Sequence, residues 1–155
     1  MFKISFFKNV FSKTKDNVLI LDNNDNYTEN FSKQWKKYQK IQIDSFNNFN
    51  ISKQYLESLL FQKLDFLKNK NIIELGSGAG RFTEHIVKYA NKCITVDLSS
   101  AIFFNVAKNE KNAILIKADY IKLESKDKFD IVICRGVLQH TPNPSEYLLK
   151  LFEFI

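Results

Sequence analysis

The feature that most constrains the fold is a regular alternation of short apolar runs with amphipathic segments after residue 70. The apolar runs have the length of strands and read NIIEL, KCITVD, AILIKA and FDIVIC. The segments between the first three, RFTEHIVKYA and SAIFFNVAKNE, have the spacing of helices, and another helix is predicted to begin near Pro144. Strands joined by helical crossovers are parallel and are covered on both faces. The sequence therefore predicts an α/β fold.

The number of predicted strands and the helical spacing of the last residues indicate how the domain is organised. About four strands are present, and the final YLLKLFEFI still has helical spacing. Because a doubly wound sheet usually has five or more strands, we expect a Rossmann-like, doubly wound and mostly parallel sheet that is incomplete. Residues 51–155 are predicted to be the N-terminal portion of a larger domain, and residues 1–50 an N-terminal extension with a helical leader around FSKQWKKYQKIQI.

Two further segments have helical periodicity. ISKQYLESLLFQKLDFL predicts an amphipathic helix with Ser52 as its N-cap. Its expected apolar face consists of Ile51, Tyr55, Leu59, Leu60, Leu64 and Leu67. The opening MFKISFFKNVFSK predicts a helix that packs on the domain or a frayed end, and weak peripheral membrane contact through residues 1–13 stays open. NVLIL, which follows, is a short strand candidate.

Charge and cysteine content narrow the range of partners. The net charge of +6 is spread along the chain, with +3 each on residues 1–50 and 51–155, and 21 of the 23 basic residues are Lys. A Lys bias of this kind follows from codon usage, so we expect a solvated basic surface and no nucleic-acid partner. No apolar run is long enough to span a membrane. Cys93 and Cys134 are too far apart for a metal site and predict reduced thiols in a cytoplasmic protein.

The glycine-rich turn in NIIELGSGAGRF is the strongest indication of a ligand. Such a turn exposes backbone N–H groups and lacks Cβ atoms, so a ligand can approach the backbone closely. The spacing excludes a phosphate-binding P-loop, because the required Lys and hydroxyl residue do not follow Gly76 at the right offsets. It also disfavours the dinucleotide fingerprint, because Arg81 occupies the position of the third glycine.

The motif that is present, E-x-G-x-G-x-G, resembles the first motif of the class I S-adenosylmethionine-dependent methyltransferases. It consists of Glu74 followed by the loop residues Gly76, Ser77, Gly78 and Gly80. A carboxylate at Glu74 suits the ammonium group of a methionine moiety and would repel a pyrophosphate. The resemblance thus implies S-adenosylmethionine as the cofactor.

Three later motifs extend the resemblance over residues 72–145. Asp97 lies 21 residues after Gly76, where an acid at a strand end accepts hydrogen bonds from ribose hydroxyls. In this family an Asp at the position of Asp119 accepts from the adenine amino group, with Ala118 facing the ring. Leu98 and Tyr120 would be its apolar neighbours. FDIVICRGVLQHTPNP resembles the motif after the fourth strand, and the similarity is greatest to the small-molecule branch that includes quinone-biosynthesis enzymes.

Three residues are candidates for polar roles beside these loops. Arg81 and Arg135 are the only arginines, and each could clamp a carboxylate of the cofactor or of a substrate. His140 is the candidate general base, because its loop borders the methyl group in this fold. The expected function is methyl transfer to a small-molecule acceptor. A non-catalytic cofactor-binding or interaction module and a nicotinamide-dependent oxidoreductase remain alternatives.

Overall fold

The computed structural model describes residues 1, 3–14, 16–21 and 40–155. Its centre is a six-stranded sheet in the order β1-β2-β5-β4-β3-β6. The strands are β1 (Ser12–Lys13), β2 (Leu19–Ile20), β3 (Asn71–Leu75), β4 (Lys92–Asp97), β5 (Ala113–Lys117) and β6 (Ile131–Cys134). All neighbouring pairs are parallel except β1 and β2. The predicted α/β class is confirmed, and the four predicted parallel strands are β3 to β6.

Helices and turns of 3-10 helix connect these strands. The α-helices are α1 (Asp44–Asn47), α2 (Ile51–Leu60), α3 (Thr83–Ile86) and α4 (Pro144–Leu151). The 3-10 segments are Leu64–Leu67, Ser100–Phe104, Tyr120–Lys122 and Leu138–His140. Helix α4 begins as predicted at Pro144, where Asn143 caps it by accepting a hydrogen bond from the backbone of Glu146.

Buried side chains cover the sheet on both faces. Alternate residues of a strand point to opposite faces, and in β3 Ile72 packs with α2 and α3 while Ile73 packs on the opposite side with α4. The first face is filled by Leu56, Leu64, Leu67, Phe82, Ile86 and Cys93, among others. The second includes Phe7, Phe11, Phe129, Tyr147 and Phe154. This arrangement is the two-sided cover expected of a doubly wound sheet.

The N-terminal segment differs from the prediction of a helix. Within residues 3–14 and 16–21 the structure has no helix, and the chain instead adds β1 and β2 to the edge of the sheet. Strand β2 lies within NVLIL and confirms the strand predicted there, whereas β1 was not predicted. Phe7 and Phe11 are 3% and 0% exposed and pack in the core. Burial in the core outweighs the helical spacing of these aromatic residues, because each ring removes more apolar surface from water there than on one face of a surface helix. Most of the expected helical leader lies outside the described residues.

The crossover helices are shorter than the sequence predicted. RFTEHIVKYA supplies only the four-residue α3, and SAIFFNVAKNE supplies a 3-10 segment, Ser100–Phe104. Helix α2 ends at Leu60, and its buried residues are Ser52 and Leu56, whereas Ile51 and Leu59 are exposed. Ser52 does not cap the helix; Asn50 takes the N-cap position without a side-chain hydrogen bond. Tertiary contacts override the local pattern here.

The register of the sheet brings several strand ends together. Leu75 of β3 lies opposite Val96 of β4, and Asp97 of β4 lies opposite Lys117 of β5. Loops that follow the carboxyl ends of parallel strands line the ligand crevice in open α/β sheets. Among the described residues, no helix is both long enough and apolar enough to cross a lipid bilayer.

Candidate functional site

A cavity of about 690 Å³ lies at the carboxyl ends of β3, β4, β5 and β6, within the size range of small-molecule sites. Its lining includes twelve of the thirteen candidate residues from the sequence: Glu74, Gly76, Ser77, Gly78, Arg81, Asp97, Leu98, Ala118, Asp119, Tyr120, Arg135 and His140. The exception is Gly80, which does not line the cavity. Residues from four different loops thus converge on one space.

The glycine turn is held against β4 by its own backbone. The N–H groups of Gly76 and Ser77 both donate to the carbonyl oxygen of Val96, at 2.8 and 3.2 Å. Gly76 has a φ of +76°, and a Cβ atom placed on it would lie 2.1 Å from Cγ2 of Val137. Only glycine fits this position, because both the backbone conformation and the contact with the β6 loop exclude a side chain.

Gly80 serves a packing role. It has a φ of +97°, and a Cβ atom there would lie 2.6 Å from Oδ1 of Asn105. Asn105 is fully buried, and its Nδ2 lies within 3.4 Å of the hydroxyl oxygens of Ser77, Thr83 and Thr95. Its missing side chain makes room for the asparagine that holds the turn, and the cofactor-binding role expected for Gly80 stays a prediction.

Glu74 is a buried carboxyl group beside the turn. It is 3% exposed, and its Oε2 accepts a hydrogen bond of 2.5 Å from the Thr83 hydroxyl at the start of α3. Burial raises the pKa of Glu74 to about 8, the nearby charge of Asp97 adds to this rise, and the Thr83 hydrogen bond opposes it. At neutral pH the group is largely protonated, and a cation beside it would favour the carboxylate.

Asp97 connects the end of β4 to the glycine turn. Its Oδ2 accepts from the backbone N–H of Gly78 at 2.7 Å. Its Oδ1 accepts from the N–H and the hydroxyl of Ser99, at 2.8 and 2.5 Å. Burial raises the pKa of Asp97, while these hydrogen bonds oppose the rise. A carboxylate has about four acceptor positions, so Asp97 retains capacity for a ligand hydroxyl.

The end of β5 supplies the aromatic part of the cavity. Asp119 accepts from the backbone of Ile121 through Oδ1 and from the Tyr147 hydroxyl through Oδ2, the latter at 2.7 Å. The rings of Tyr120 and Tyr147 meet edge to face with centroids 5.1 Å apart. The N–H of Ala118 donates to the carbonyl of Asp97 at 3.1 Å and joins the two loops. Tyr147 is a site residue that the sequence reasoning missed.

His140 ends the 3-10 segment after β6 and lines the cavity as an exposed residue. Its backbone N–H donates to the carbonyl of Val137 at 2.9 Å. Val137 is the residue that contacts Gly76, so the β6 loop is located by direct packing on the glycine turn. His140 is therefore positioned at the cavity by this loop packing and by a three-residue 3-10 segment.

A buried polar cluster lies behind the cavity and was also missed from the sequence. Asp44 of α1 and Glu84 and His85 of α3 offer ligand atoms within 4.8 Å of one another. Glu84 accepts from the backbone N–H of Asp44 at 2.7 Å, and Asp44 accepts from the backbone N–H groups of Ser52 and Lys53 at 3.1 and 3.0 Å. The carboxylates therefore fasten α1 and α2 to α3.

His85 completes this cluster with Nε2 at 3.1 Å from Oδ2 of Asp44 and 3.3 Å from Oε1 of Glu84. Burial lowers the pKa of His85 and Lys88 adds to this, while Glu84 and Asp44 oppose it. Hydrogen bonds from the backbone hold the pKa of Asp44 below its usual value although burial acts in the opposite direction. The sequence separation of about 40 residues between Asp44 and His85 explains why no local pattern indicated the cluster.

Comparison with a family model supplies the deciding observation. Residues 73–153, which contain the glycine turn and the loops around the cavity, match the family described as a methyltransferase domain. The chain belongs to this family. The resemblance stated from the motifs is confirmed, and the domain is of the class that uses S-adenosylmethionine.

Curated relatives of the methyltransferase domain include two bacterial enzymes. The chain is 31% identical over 88 residues to a ubiquinone biosynthesis O-methyltransferase of Coxiella burnetii, a match that covers 53% of the chain and 37% of the relative. It is 30% identical over 131 residues to a ribosomal RNA small subunit methyltransferase G of Fusobacterium nucleatum, covering 72% of the chain and 56% of the relative. The chain thus spans about a third to a half of the length of these relatives.

A solved structure supports the same fold. The phosphoethanolamine N-methyltransferase 1 of Haemonchus contortus, in complex with phosphoethanolamine and S-adenosylhomocysteine, superposes with a TM-score of 0.60 at 20% identity. The match covers 83% of this chain and 30% of that chain. The methyltransferase domain therefore has the class I fold that its motifs predicted.

Proposed function

We propose that this chain binds S-adenosylmethionine and transfers its methyl group to a small-molecule acceptor. The observation that carries the proposal is the placement of Glu74, Asp97 and Asp119 around one cavity, at the ends of three adjacent strands. The Glu74 carboxyl group suits the ammonium group of the methionine moiety, Asp97 suits the ribose diol, and Asp119 suits the adenine amino group. Membership of the methyltransferase domain family supports this assignment.

The site residues contribute binding and orientation. S-adenosylmethionine supplies an activated methyl group on a sulfonium, so the protein has mainly to position an acceptor in line. Leu98, Ala118 and Tyr120 give the adenine end an apolar wall, and the Asp97 carboxylate is oriented by Gly78 and Ser99. We propose the same cofactor-binding role for Ser77, which lines the cavity and whose hydroxyl lies 2.9 Å from that of Thr95.

We propose His140 as the general base for an acceptor that carries a hydroxyl or amine. The side chain lines the cavity on the β6 loop, and an imidazole accepts a proton near neutral pH. On an identified acceptor, His140→Ala should lower kcat about 100-fold or more while the affinity for S-adenosylhomocysteine is unchanged. Gln139→Ala, on an exposed neighbour, is the matched control. Equal kcat values for His140→Ala and wild type would contradict this role.

The acceptor class is a proposal of its own. The Coxiella relative is named for ubiquinone biosynthesis, which favours a small molecule for this chain, whereas the Fusobacterium relative is named for ribosomal RNA. Methyl transfer from a tritiated donor can be measured with a small-molecule extract and with total RNA side by side. Label in the extract alone supports the proposal, and label in RNA alone makes RNA methylation the function.

Cofactor binding itself is tested by isothermal titration with S-adenosylhomocysteine and NAD. We expect S-adenosylhomocysteine to bind with a Kd on the order of 1–10 μM and NAD to bind at least about tenfold more weakly. Asp97→Ala should abolish S-adenosylhomocysteine binding, whereas Asp65→Ala, on an exposed residue, should leave it unchanged. Tighter binding of NAD would overturn the proposal, and binding without any turnover would identify a non-catalytic module.

We also propose a cytoplasmic location. Cys93 and Cys134 are free thiols, as is usual in a reducing compartment. The burial of Phe7 and Phe11 in the core leaves little aromatic surface in residues 3–13 for a lipid headgroup region. Cell fractionation tests both points, and recovery of the protein with membranes would contradict them.

A further inference from the structure

Tyr55 occupies the centre of the positively charged end of the cavity. It lies on α2, before the first residue of the family match, and its side chain lines the cavity. The Nε atom of Arg135 donates to the Tyr55 hydroxyl at 2.7 Å. The guanidinium carbons of Arg81 and Arg135 lie 5.5 and 5.4 Å from the centroid of the Tyr55 ring. One aromatic residue thus contacts two cations that come from different loops.

Helix α2 holds Arg81 through a second residue. The Nε atom of Arg81 donates to the Ser52 hydroxyl at 3.1 Å, and Ser52 lies three positions before Tyr55, on the same side of the helix. Ser52 is 2% exposed and donates in turn to the carbonyl of Gln42 at 3.1 Å. The guanidinium of Arg81 also lies 5.2 Å from the Phe82 ring centroid. Its orientation is therefore restricted from several sides.

The arrangement leaves the outer nitrogens of both guanidinium groups available. In the part of the chain that the structure describes, the hydrogen bonds of Arg81 and Arg135 run through Nε, and neither arginine forms an ion pair with a carboxylate. A guanidinium group offers five N–H donors in a planar fork, so an arginine bound through Nε still has donors for a second acceptor. Both guanidinium carbons lie within 5.5 Å of the same ring centroid, and a carboxylate or phosphate is the group that accepts best from the Nη atoms of arginines.

We propose that Arg81 and Arg135 form a single anion-binding site at the mouth of the cavity, with Tyr55 as the positioning residue that holds them together. The ligand group is a carboxylate or phosphate of a bound molecule. It belongs either to the amino-acid end of the cofactor or to an acidic acceptor, and this part of the inference rests on the proposed function. The existence of the anion site does not depend on it.

The composition of the chain offers a direct probe. Arg81 and Arg135 are its only arginines, so phenylglyoxal, which modifies guanidinium groups, can label just these two side chains. Peptide mass spectrometry then gives the labelling rate of each. The labelling rates are measured in the presence of S-adenosylhomocysteine and in the presence of 5′-(3-aminopropylthio)-5′-deoxyadenosine, an analogue that lacks only the carboxylate. Each measurement is then repeated with benzoate added. Chloride at the same ionic strength is the reference.

We expect an anion to slow the labelling of both arginines together, by at least about threefold. Protection by S-adenosylhomocysteine but not by the aminopropyl analogue assigns the site to the cofactor carboxylate. Protection by benzoate on top of bound S-adenosylhomocysteine assigns it to an acidic acceptor. If neither S-adenosylhomocysteine nor benzoate slows labelling beyond chloride, or if only one arginine responds, the single anion site is wrong.

Variants of Tyr55 test its positioning role. Tyr55→Phe keeps the ring and removes the hydroxyl that Arg135 binds, so the protection of Arg135 should fall at least about threefold while that of Arg81 remains. Tyr55→Leu should reduce both. Tyr89→Phe, on a half-buried tyrosine away from the cavity, is the matched control. Unchanged protection in both Tyr55 variants, at an unchanged Tm, would overturn the role of Tyr55.

The two proposals can fail separately. If calorimetry detects no binding of S-adenosylhomocysteine while benzoate still protects both arginines, the anion site stands and the proposed function fails. If S-adenosylhomocysteine binds with the expected affinity and no anion protects the arginines, the proposed function stands and the anion site fails.

Discussion

At the scale of single residues, close neighbours determine which residue type fits at a site position and whether its side chain carries a proton. Gly76 must lack a side chain because the Cγ2 atom of Val137 occupies the space where a Cβ would lie. Glu74 is buried beside Thr83 and therefore holds a proton that an exposed glutamate would lose. Both properties follow from neighbours in other elements of the structure, although the residues themselves stand out in the sequence.

Replacing Gly76 by Ala should destabilise the protein and weaken cofactor binding. The added Cβ would lie 2.1 Å from Val137 Cγ2, and we expect a loss of about 2–4 kcal/mol in the free energy of unfolding. Gly136→Ala is the matched control, because Gly136 also has a positive φ, +71°, but its Cβ would meet only Gln139 Nε2 at 3.9 Å. Urea denaturation measures both.

A double variant separates the clash from the backbone strain. Val137→Ala removes the Cγ atoms, so Gly76→Ala combined with Val137→Ala should cost less than the sum of the single changes. Additive losses, or a Gly136→Ala variant as unstable as Gly76→Ala, would show that the contact with Val137 is not the cause.

Glu74 should make the stability of the ligand-free protein fall as the pH rises. The folded state keeps the proton up to a pKa of about 8, whereas the unfolded state releases it near 4.5, so the unfolded state binds fewer protons between these values. The free energy of unfolding should therefore decrease from pH 4.5 to pH 8, by up to about 5 kcal/mol. Urea denaturation at pH 5 and pH 8 measures this difference.

Glu74→Gln supplies the comparison, because an amide does not titrate. The decrease between pH 5 and pH 8 should be clearly smaller in this variant than in the wild type. Glu110→Gln, at an exposed position, should behave like the wild type. The expectation is wrong if Glu74→Gln and wild type lose the same free energy between the two pH values.

At the scale of elements, the helices that reach the cavity are short and are held by polar contacts. The fully buried residues of α1 and α2 are Asp44, Ser52 and Leu56. Of the apolar face predicted for the α2 segment, Tyr55, Leu60, Leu64 and Leu67 pack in the core, whereas Ile51 and Leu59 are exposed. The hydrogen bonds among Asp44, Glu84 and His85 attach α1 and α2 to α3. Ser52 and Tyr55, which contact the arginines, both lie on α2, so the polar cluster that attaches α2 to α3 also supports the proposed anion site.

Loss of Glu84 should release α1 and α2 from the domain. Glu84→Ala leaves the buried N–H of Asp44 without its acceptor, which costs about 1–3 kcal/mol. We expect amide hydrogen exchange to accelerate over residues 44–60 and to remain slow in β3, β4 and β5. Glu110→Ala is the control. Uniform acceleration in all elements would instead indicate that the cluster stabilises the whole domain and not the two helices.

At the scale of the whole molecule, the N-terminal segment and the later strands share one core. Phe7, Phe11 and Leu19 pack with Ile73, Val96 and Phe154, and β2 pairs with β5 at the edge of the sheet. The boundary expected at residue 50 stays a prediction. The packing of Phe7, Phe11 and Leu19 in this core indicates that residues 3–14 and 16–21 contribute to the stability of the methyltransferase domain.

Removing the Phe11 ring tests this contribution. Phe11 is fully buried, and Phe11→Ala should lower the free energy of unfolding by about 3–5 kcal/mol. Phe61→Ala is the matched control, because Phe61 is 91% exposed and its loss should cost less than about 1 kcal/mol. If Phe11→Ala leaves the urea midpoint of the domain unchanged, the N-terminal segment does not belong to its cooperative core.

The α/β class, the four parallel strands β3 to β6 and twelve of the residues that line the cavity were predictable from the sequence alone. These features depend on periodicity and on motifs within single strand-loop units, and both are visible in short stretches of the sequence. Strand β2 was also predicted, within NVLIL. The remaining features are visible only in the folded chain: strand β1, the packing of Gly80 against Asn105, the polar cluster at Asp44 and the contact of Tyr55 with both arginines. Each of these depends on contacts between distant segments, whose burial and hydrogen bonding exist only when the chain is folded.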